Sequence, residues 1–348
     1  YNVFLHMRIL VTGAAGYIGS HTVTLLLQNL ENEVVALDNF SNSNPQTYHR
    51  IEKICGRKPI VIEHDLCQEA GLKEKLRPFE PFDGIIHFAA LKSVPDSVKN
   101  PLLYYHNNML GLFNILQWIT SARSCPLIFS SSCSVYGNAS QLPVTENSPV
   151  LPAESPYAHT KQMGEEVLHQ FAQSFPQLKT VILRYFNPVG ADPSGLNGEW
   201  PIQKPTNLIP IITQTAVGKN TLTVFGNDYP TRDGTCIRDY IHVYDIAEAH
   251  IQALQFIHST EKSLKPPVFN LGSGNGTTVL EAISAFEKVS GIKLPYTLGP
   301  RRNGDVVQIF ANNDKAQKLL GWKPKFSLED MMRSAWKWQQ TLETQSDL

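Results

Sequence analysis

Short apolar runs and longer amphipathic segments alternate along the first half of the chain. RILVTG, EVVALD, PIVIEHD, GIIHFAA, PLIFSSS and TVILRYF each read as a buried strand of about 5–6 residues. Between them lie helical periods. In YYHNNMLGLFNILQWI, Met109, Leu112, Phe113, Leu116 and Ile119 recur at helical spacing, and from Tyr157 to Phe175 so do Met163, Val167, Leu168, Phe171 and Phe175. Such alternation predicts right-handed βαβ units in an α/β fold with a doubly wound parallel sheet. Ligands of such a sheet bind beyond the carboxyl ends of its strands.

After RYFNPVGADPSG the texture changes. Residues Asn187 to Asp233 are rich in Pro, Gly and Asn and hold one helical piece, NLIPIITQTAVG. Thr278 with Glu281 and Ser327 with Asp330 have the spacing of capping boxes at two later helix starts. These signals place one domain over residues 1–186 and a smaller, mixed α/β domain over 187–348. Residues 236–260, which hold IRDYIHVYDIAEAHIQAL, are candidates to return to the first. The six residues YNVFLH before Met7 are left out of this reading.

Composition narrows the functional classes. A chain of 348 residues can bury a sizeable core without staples. Its formal net charge of -1 gives no overall field for nucleic acid or an anionic membrane surface. There is no apolar run near the length of a membrane span and no basic region followed by a long apolar core. Cys55, Cys67, Cys125, Cys133 and Cys236 are scattered and form no CxxC pair, so neither a disulfide framework nor a zinc site is expected. A reducing, cytoplasmic setting follows. His242, His250 and His258 lie near helical spacing without an acidic or cysteine partner, and read as surface or core histidines. No metal site is expected. The sequons at Asn138 and Asn275 read as chance matches.

ILVTGAAGYIGSH follows the first strand and opens the first helix. Gly13, Gly16 and Gly19 let the chain turn tightly and let its backbone approach a pyrophosphate. The helix start, with Tyr17 and Ile18, offers N–H groups and a partial positive charge. Asp38 ends the second strand, 19 residues beyond Gly19. An acid there can bond ribose hydroxyls and repels a 2′-phosphate, which selects NAD and makes the sheet Rossmann-type. Asp65 stands where an adenine contact belongs, and Phe88, Ala89 and Ala90 end the fourth strand with room for a cofactor.

ESPYAHTK places Tyr157 one turn before Lys161, 25 residues after Ser132 in IFSSSCSVYG. A free phenol has a pKa of about 10, and a base poised near neutrality must lose roughly 3 units, about 4 kcal/mol. One cation supplies about 1–3 units in a partly buried site. Lys161 and an oxidised nicotinamide together suffice. Tyr157 is thus expected to be an acid–base group of lowered pKa, with Ser132 sharing its proton.

TGAAGYIGSH, LDNFSNS, HFAALKSV, FSSSCSVYG, SPYAHTK, RYFNPVGADPSG, FGNDYPTRDGTCIRDYIHV, NLGSG and RRNGD together resemble the extended short-chain dehydrogenase/reductase family, from Met7 to about Leu342. RYFNPVGA and GTCIRDYIHV resemble the members that invert C4 of a UDP-hexose. The resemblance implies exchange of UDP-galactose and UDP-glucose in galactose metabolism, with NAD as cofactor and a homodimer through helices of the first domain, including Asn107 to Ile119. It implies catalytic roles for Tyr157, Lys161 and Ser132. To the cofactor contacts it adds Asn39, Asn42, Ser43, Leu66, Lys92, Asn107, Ser130 and Tyr185. To the UDP-sugar it assigns Ser132, Tyr157, Asn187, Asn207, Leu208, Phe225, Arg238, Arg302, Asp305 and Ile309. Guanidinium groups at Arg238 and Arg302 suit a diphosphate. Ile309 takes the family position that sets room beside the sugar C2 group; isoleucine is intermediate in size and stiff, and weak or absent activity on N-acetylated sugars is expected.

Three rival readings stand beside this one. Dehydratases and decarboxylases of the family place one or two acids just after the strand-end Ser or Thr. Here Cys133 and Ser134 stand there, and neither protonates a leaving hydroxyl well. Epimerases specific for UDP-N-acetylhexosamines share the remaining motifs. A protein that senses NAD without turnover has no need of both Tyr157 and Lys161.

Overall fold

The computed structural model describes residues 7–121, 125–202, 204–260, 265–302 and 305–345. The stretch before Met7 lies outside them. The first part of the chain runs β1 (Arg8–Thr12), α1 (Tyr17–Gln28), β2 (Glu33–Asp38), α2 (Thr47–Cys55), β3 (Ile60–Glu63), α3 (Leu72–Leu76), β4 (Gly84–His87), α4 (Val94–Lys99), α5 (Pro101–Ser121), β5 (Leu127–Ser132), α6 (Pro156–Ser174) and β6 (Thr180–Tyr185). There follow β7 (Asn187–Val189), α7 (Leu208–Ala216), β8 (Leu222–Phe225), β9 (Ile237–His242), α8 (Val243–Ser259), β10 (Val268–Leu271) and β11 (Gly276–Thr278). The chain ends with α9 (Val279–Ser290), β12 (Tyr296–Gly299), β13 (Gln308–Ile309), α10 (Asp314–Leu320) and α11 (Leu328–Gln345).

A seven-stranded parallel sheet has the order β10-β6-β5-β4-β1-β2-β3. Its inner strands are mostly apolar because both faces are covered. Ile9, Val11, Ala36, Ile86, Ile128 and Val181 pack with α1 and α8 on one face. Leu10, Val35, Leu37, Ile85, Leu127 and Ile182 pack with α5 and α6 on the other. The period of two along each strand separates the two sets. Strand order reverses between β1 and β4, which opens a crevice at their carboxyl ends.

The return of the chain is split. Ile237–His242 joins a second, four-stranded sheet as β9, flanked by β11 on one side and by β7 and β13 on the other. Only α8 goes back, to pack on α1, and β10 then adds a seventh strand beside β6. The second core lies among α7, α9, α11 and the small sheets, with Ile212, Val224, Tyr240, Phe286 and Met332 at its centre. Thr278 and Glu281 form a reciprocal capping box, and Ser327 and Asp330 exchange bonds in the same way.

One stripe position differs from expectation. Phe113 is 43% exposed, on the outer face of α5 with Leu102, three turns earlier. The buried stripe of α5 runs through Leu112, Ile115, Leu116 and Ile119, and Phe113 lies about 100° around the helix from Leu112.

Candidate active site

The turn from β1 to α1 is built for close approach of another group. Gly13 has φ +65, and a Cβ there would lie 2.7 Å from the backbone nitrogen of Ala89. A Cβ on Gly19 would collide with the Gly13 carbonyl oxygen. Gly16 caps α1 without offering a side-chain acceptor to the first turn, where Tyr17, Ile18 and Gly19 lie. A glycine cradle facing an uncapped helix start at the crevice fits a dinucleotide pyrophosphate.

Asp38 ties this loop to the end of β2. Its Oδ2 accepts from the Ala15 N–H at 2.9 Å, and its Oδ1 from the Phe40 N–H at 2.9 Å and the Ser43 hydroxyl at 2.8 Å. Three of roughly four acceptor positions on the carboxylate are filled. A two-point hold on a ribose diol therefore requires Ser43 to release its bond. Asn39 and Asn42 follow on the exposed loop side, with the Asn39 amide oxygen accepting from Ser41. Asp65 accepts from the Cys67 N–H, and Leu66 is buried beside it. Asn107 on α5 lies against Cys67 and donates to Asn108. Phe88 packs on His250, and Ala89 and Ala90 continue from β4 over the crevice.

Parallel pairing sets Ser132 opposite Tyr185, and Ser130 opposite Leu183. Ser155 caps α6 through the Ala158 N–H, with Pro156 in the first turn, so the helix starts just before Tyr157. Lys161 is buried and donates from Nζ to the Ser130 carbonyl at 2.8 Å. Its ammonium lies 5.9 Å from the centroid of the Tyr157 ring. Tyr157 has the Ser132 side chain beside its phenol and is 8% exposed.

The expected lowering of the Tyr157 pKa does not come from the chain's own groups. Burial pushes the phenol up to about 12, against a smaller opposing effect of the Ser132 side chain. The Lys161 ammonium is bonded to the Ser130 carbonyl and lies over the Tyr157 ring. Burial in turn pulls the Lys161 amine down to about 8, and the Glu165 carboxylate opposes that fall. Cys133 is held neutral, its thiol pushed up to about 12 chiefly by burial. Tyr185 is likewise pushed well above the ordinary phenol value by burial.

The remaining predicted residues form three groups. Arg238 on β9 lies in register with Ile309, donates to the Val306 carbonyl at 2.8 Å and meets Asp305 at 3.3 Å. Asn187 starts β7, which pairs with the other half of β9. Ile309 is buried in a small cluster with Val135, Tyr136, Val144 and Phe186. Arg302 lies 4.0 Å above the Phe225 ring, on an exposed rim. Asn207 stands at the N-cap of α7, just before Leu208, and its amide donates to Glu199 at 3.2 Å. Glu199 also pairs with Lys92 at 2.9 Å. It thus joins a residue expected at the cofactor to one expected at the sugar. Glu199 was not found from sequence, since its loop has no period. Tyr17 spends its hydroxyl on the Gly190 carbonyl at 2.6 Å, just beyond β7. Among the described residues no cluster of three or more His, Cys, Asp or Glu side chains has the arrangement of a metal site. No described helix is long and apolar enough to cross a membrane.

Comparison with known proteins places this architecture. A family model described as GDP-mannose 4,6 dehydratase matches residues 10–335. The chain is 46% identical over 334 residues to the UDP-glucose 4-epimerase of Yersinia enterocolitica, covering 96% of this chain and 97% of that one. A crystal structure of UDP-glucose 4-epimerase from Stenotrophomonas maltophila, with bound NAD and formylated UDP-arabinopyranose, superposes with a TM-score of 0.93 at 42% identity, covering 98% and 100% of the two chains. The enzyme from Bifidobacterium longum, in complex with NAD+ and UDP, gives 0.91 at 41% identity, covering 96% and 98%. With the glycine cradle, the β5-end serines and the buried tyrosine–lysine pair in one crevice, the chain belongs to the UDP-glucose 4-epimerase family.

Proposed function

We propose that this chain interconverts UDP-galactose and UDP-glucose by transient oxidation at sugar C4. The observation that carries the reading is the placement of Tyr157, Ser132 and Lys161 around the carboxyl end of β5, beside the glycine turn of β1. Gly13, Gly16, Gly19 and Asp38 would hold NAD, with Asp65, Lys92, Asn107, Ser130, Lys161 and Tyr185 along its length. When bound, NAD accepts and returns the C4 hydride, and its oxidised ring carries a positive charge.

The chain's own residues govern the proton and the geometry. Tyr157 takes the C4 hydroxyl proton and later gives it back, with Ser132 sharing it between phenol and sugar oxygen. Lys161, anchored to the Ser130 carbonyl, orients the ribose. Asn187, Asn207 and Leu208 grip the nucleotide sugar, and Arg238 and Arg302 face its diphosphate, with Asp305 orienting Arg238. Inversion requires the flat keto sugar to present its second face, so the hold on the UDP end must outlast the hold on the sugar. Cys133 and Ser134, where a dehydratase needs an acid, leave no group to expel water. The second domain, beyond residue 186, is read as the UDP-sugar side.

Purified protein mixed with UDP-galactose and no added nicotinamide is expected to form UDP-glucose, resolved by chromatography. No conversion would overturn the reading. The bulk of Ile309, packed against Val135 and Phe186, disfavours an N-acetyl group at C2. UDP-N-acetylhexosamines are therefore expected to react weakly or not at all, and equal rates on both sugar pairs would contradict that.

The cytoplasm is the proposed compartment, in line with five free cysteines. A homodimer is proposed through α5, whose outer face carries exposed Leu102 and Phe113. Light scattering is expected to give twice the chain mass, and a monomer at working concentration would refute the pairing.

A further inference from the structure

A buried charge cluster lies behind the end of β5, and the chemistry above does not use it. Glu165 stands one turn after Lys161 and two turns after Tyr157 on α6, so the three share a helix face. Its side chain and that of Arg184 are each 6% exposed. Arg184, on β6, takes both carboxylate oxygens, Nε to Oε1 at 2.9 Å and Nη2 to Oε2 at 2.5 Å. The Ser131 hydroxyl donates to Oε1 at 2.5 Å. The other Arg184 nitrogen reaches the Tyr136 hydroxyl at 3.0 Å, which donates to Asn270 on β10 at 2.6 Å.

One carboxylate thereby ties α6, β5 and β6 together, with the turn after β5 and β10 attached through Arg184. Ser131 sits between Ser130, whose carbonyl takes the Lys161 ammonium, and Ser132, whose hydroxyl meets Tyr157. A buried ion pair is a poor source of stability compared with apolar side chains of equal volume. What it does provide is direction, because the guanidinium fork and the carboxylate meet in one plane. Glu165 itself bonds Arg184 and Ser131, so its directionality acts on the strand end.

We propose that Glu165 is a positioning residue for proton transfer: clamped by Arg184, it holds the end of β5, through Ser131, in register with Tyr157 and Lys161 on α6. The inference rests on the reading of Tyr157 as the acid–base group. Glu165 has a second effect on the same pair. The titratable groups around Lys161 are Tyr157, His87 and Glu165, with Tyr185 and His250 behind Ser130. His87 is neutral, its pKa lowered to about 3 by burial, and His250 is lowered to about 4 for the same reason. Tyr185 is pushed up and uncharged at neutral pH, and so is Tyr157 until oxidised NAD is bound. Glu165 is the carboxylate beside Lys161 whose charge favours the protonated amine. Removing that charge lowers the amine's pKa, so activity that needs the ammonium falls off at lower pH.

The test is kcat, KM and the pH profile of kcat for Ser131→Ala, Glu165→Gln and the double variant Glu165→Gln/Arg184→Gln. Tyr157→Phe is run in parallel, with thermal unfolding and bound-NAD content as controls. Ser131→Ala is expected to lower kcat about 10-fold with KM and the alkaline limb unmoved. Glu165→Gln is expected to lower kcat about 100-fold and shift the alkaline limb down by about one pH unit. A purely structural role would lower the folded fraction and leave that limb in place. Wild-type kcat and an unmoved limb in folded, NAD-loaded Ser131→Ala and Glu165→Gln would overturn the proposal. If Glu165→Gln does not fold, the double variant and Ser131→Ala decide in the same way, since the double removes both buried charges together. Full turnover in Tyr157→Phe would instead overturn the acid–base reading on which this one stands.

Discussion

Tyr157→Phe is expected to lower turnover by about 10²–10⁴-fold while NAD stays bound. The substitution removes one oxygen and keeps the ring, so the packing of a residue that is only 8% exposed is preserved. Lys161 keeps its bond to the Ser130 carbonyl, and the glycine turn is untouched. What is lost is the proton carrier, and Ser132 alone, with a hydroxyl of far higher pKa, is a poor substitute. Steady-state rates and the cofactor content of the purified variant check this. Loss of NAD with the same substitution would make Tyr157 a structural residue instead.

Gly13→Ala is expected to abolish stable NAD binding. Two effects combine. At φ +65 a side chain costs about 1–2 kcal/mol in backbone conformation alone. The new Cβ would also stand 2.7 Å from the Ala89 nitrogen and 2.9 Å from its Cα, so β1 and β4 must part where the cofactor lies. Gly56→Ala separates the two effects. Gly56 has φ +73 at the end of α2, and a Cβ there meets nothing. It should show a similar stability loss with NAD retained. Absorbance of bound nicotinamide in the two purified variants measures the difference. Full NAD content in Gly13→Ala would contradict the cradle.

The sheet was legible in the sequence because its inner strands are buried on both faces and therefore mostly apolar. The glycine turn and Asp38 were legible because a turn of positive φ and a strand-end acid leave local marks. The return of the chain was only half legible. Nothing local tells β9, which joins the second sheet, from a strand of the first, and β10 was not read as a strand of the sheet. Phe113 misled because periodicity marks helical faces but not which neighbour covers them. Lys161 was legible only in part. Its spacing from Tyr157 places both on one face, yet spacing does not say where the ammonium points. In the fold it points to the Ser130 carbonyl, and desolvation dominates the phenol. Glu165 stands four residues past Lys161, but its partners Arg184 and Ser131 come from other strands and meet it only in the fold.

The central claim is that burial raises the Tyr157 phenol, and that the positive charge of oxidised NAD is needed to bring it down to a working value. The direct measurement is an ultraviolet titration of tyrosinate, wild type minus Tyr157→Phe, with the protein loaded first with NAD and then with NADH. The account predicts ionisation near neutral pH in the NAD form and several units higher in the NADH form. The same pKa in both would contradict it.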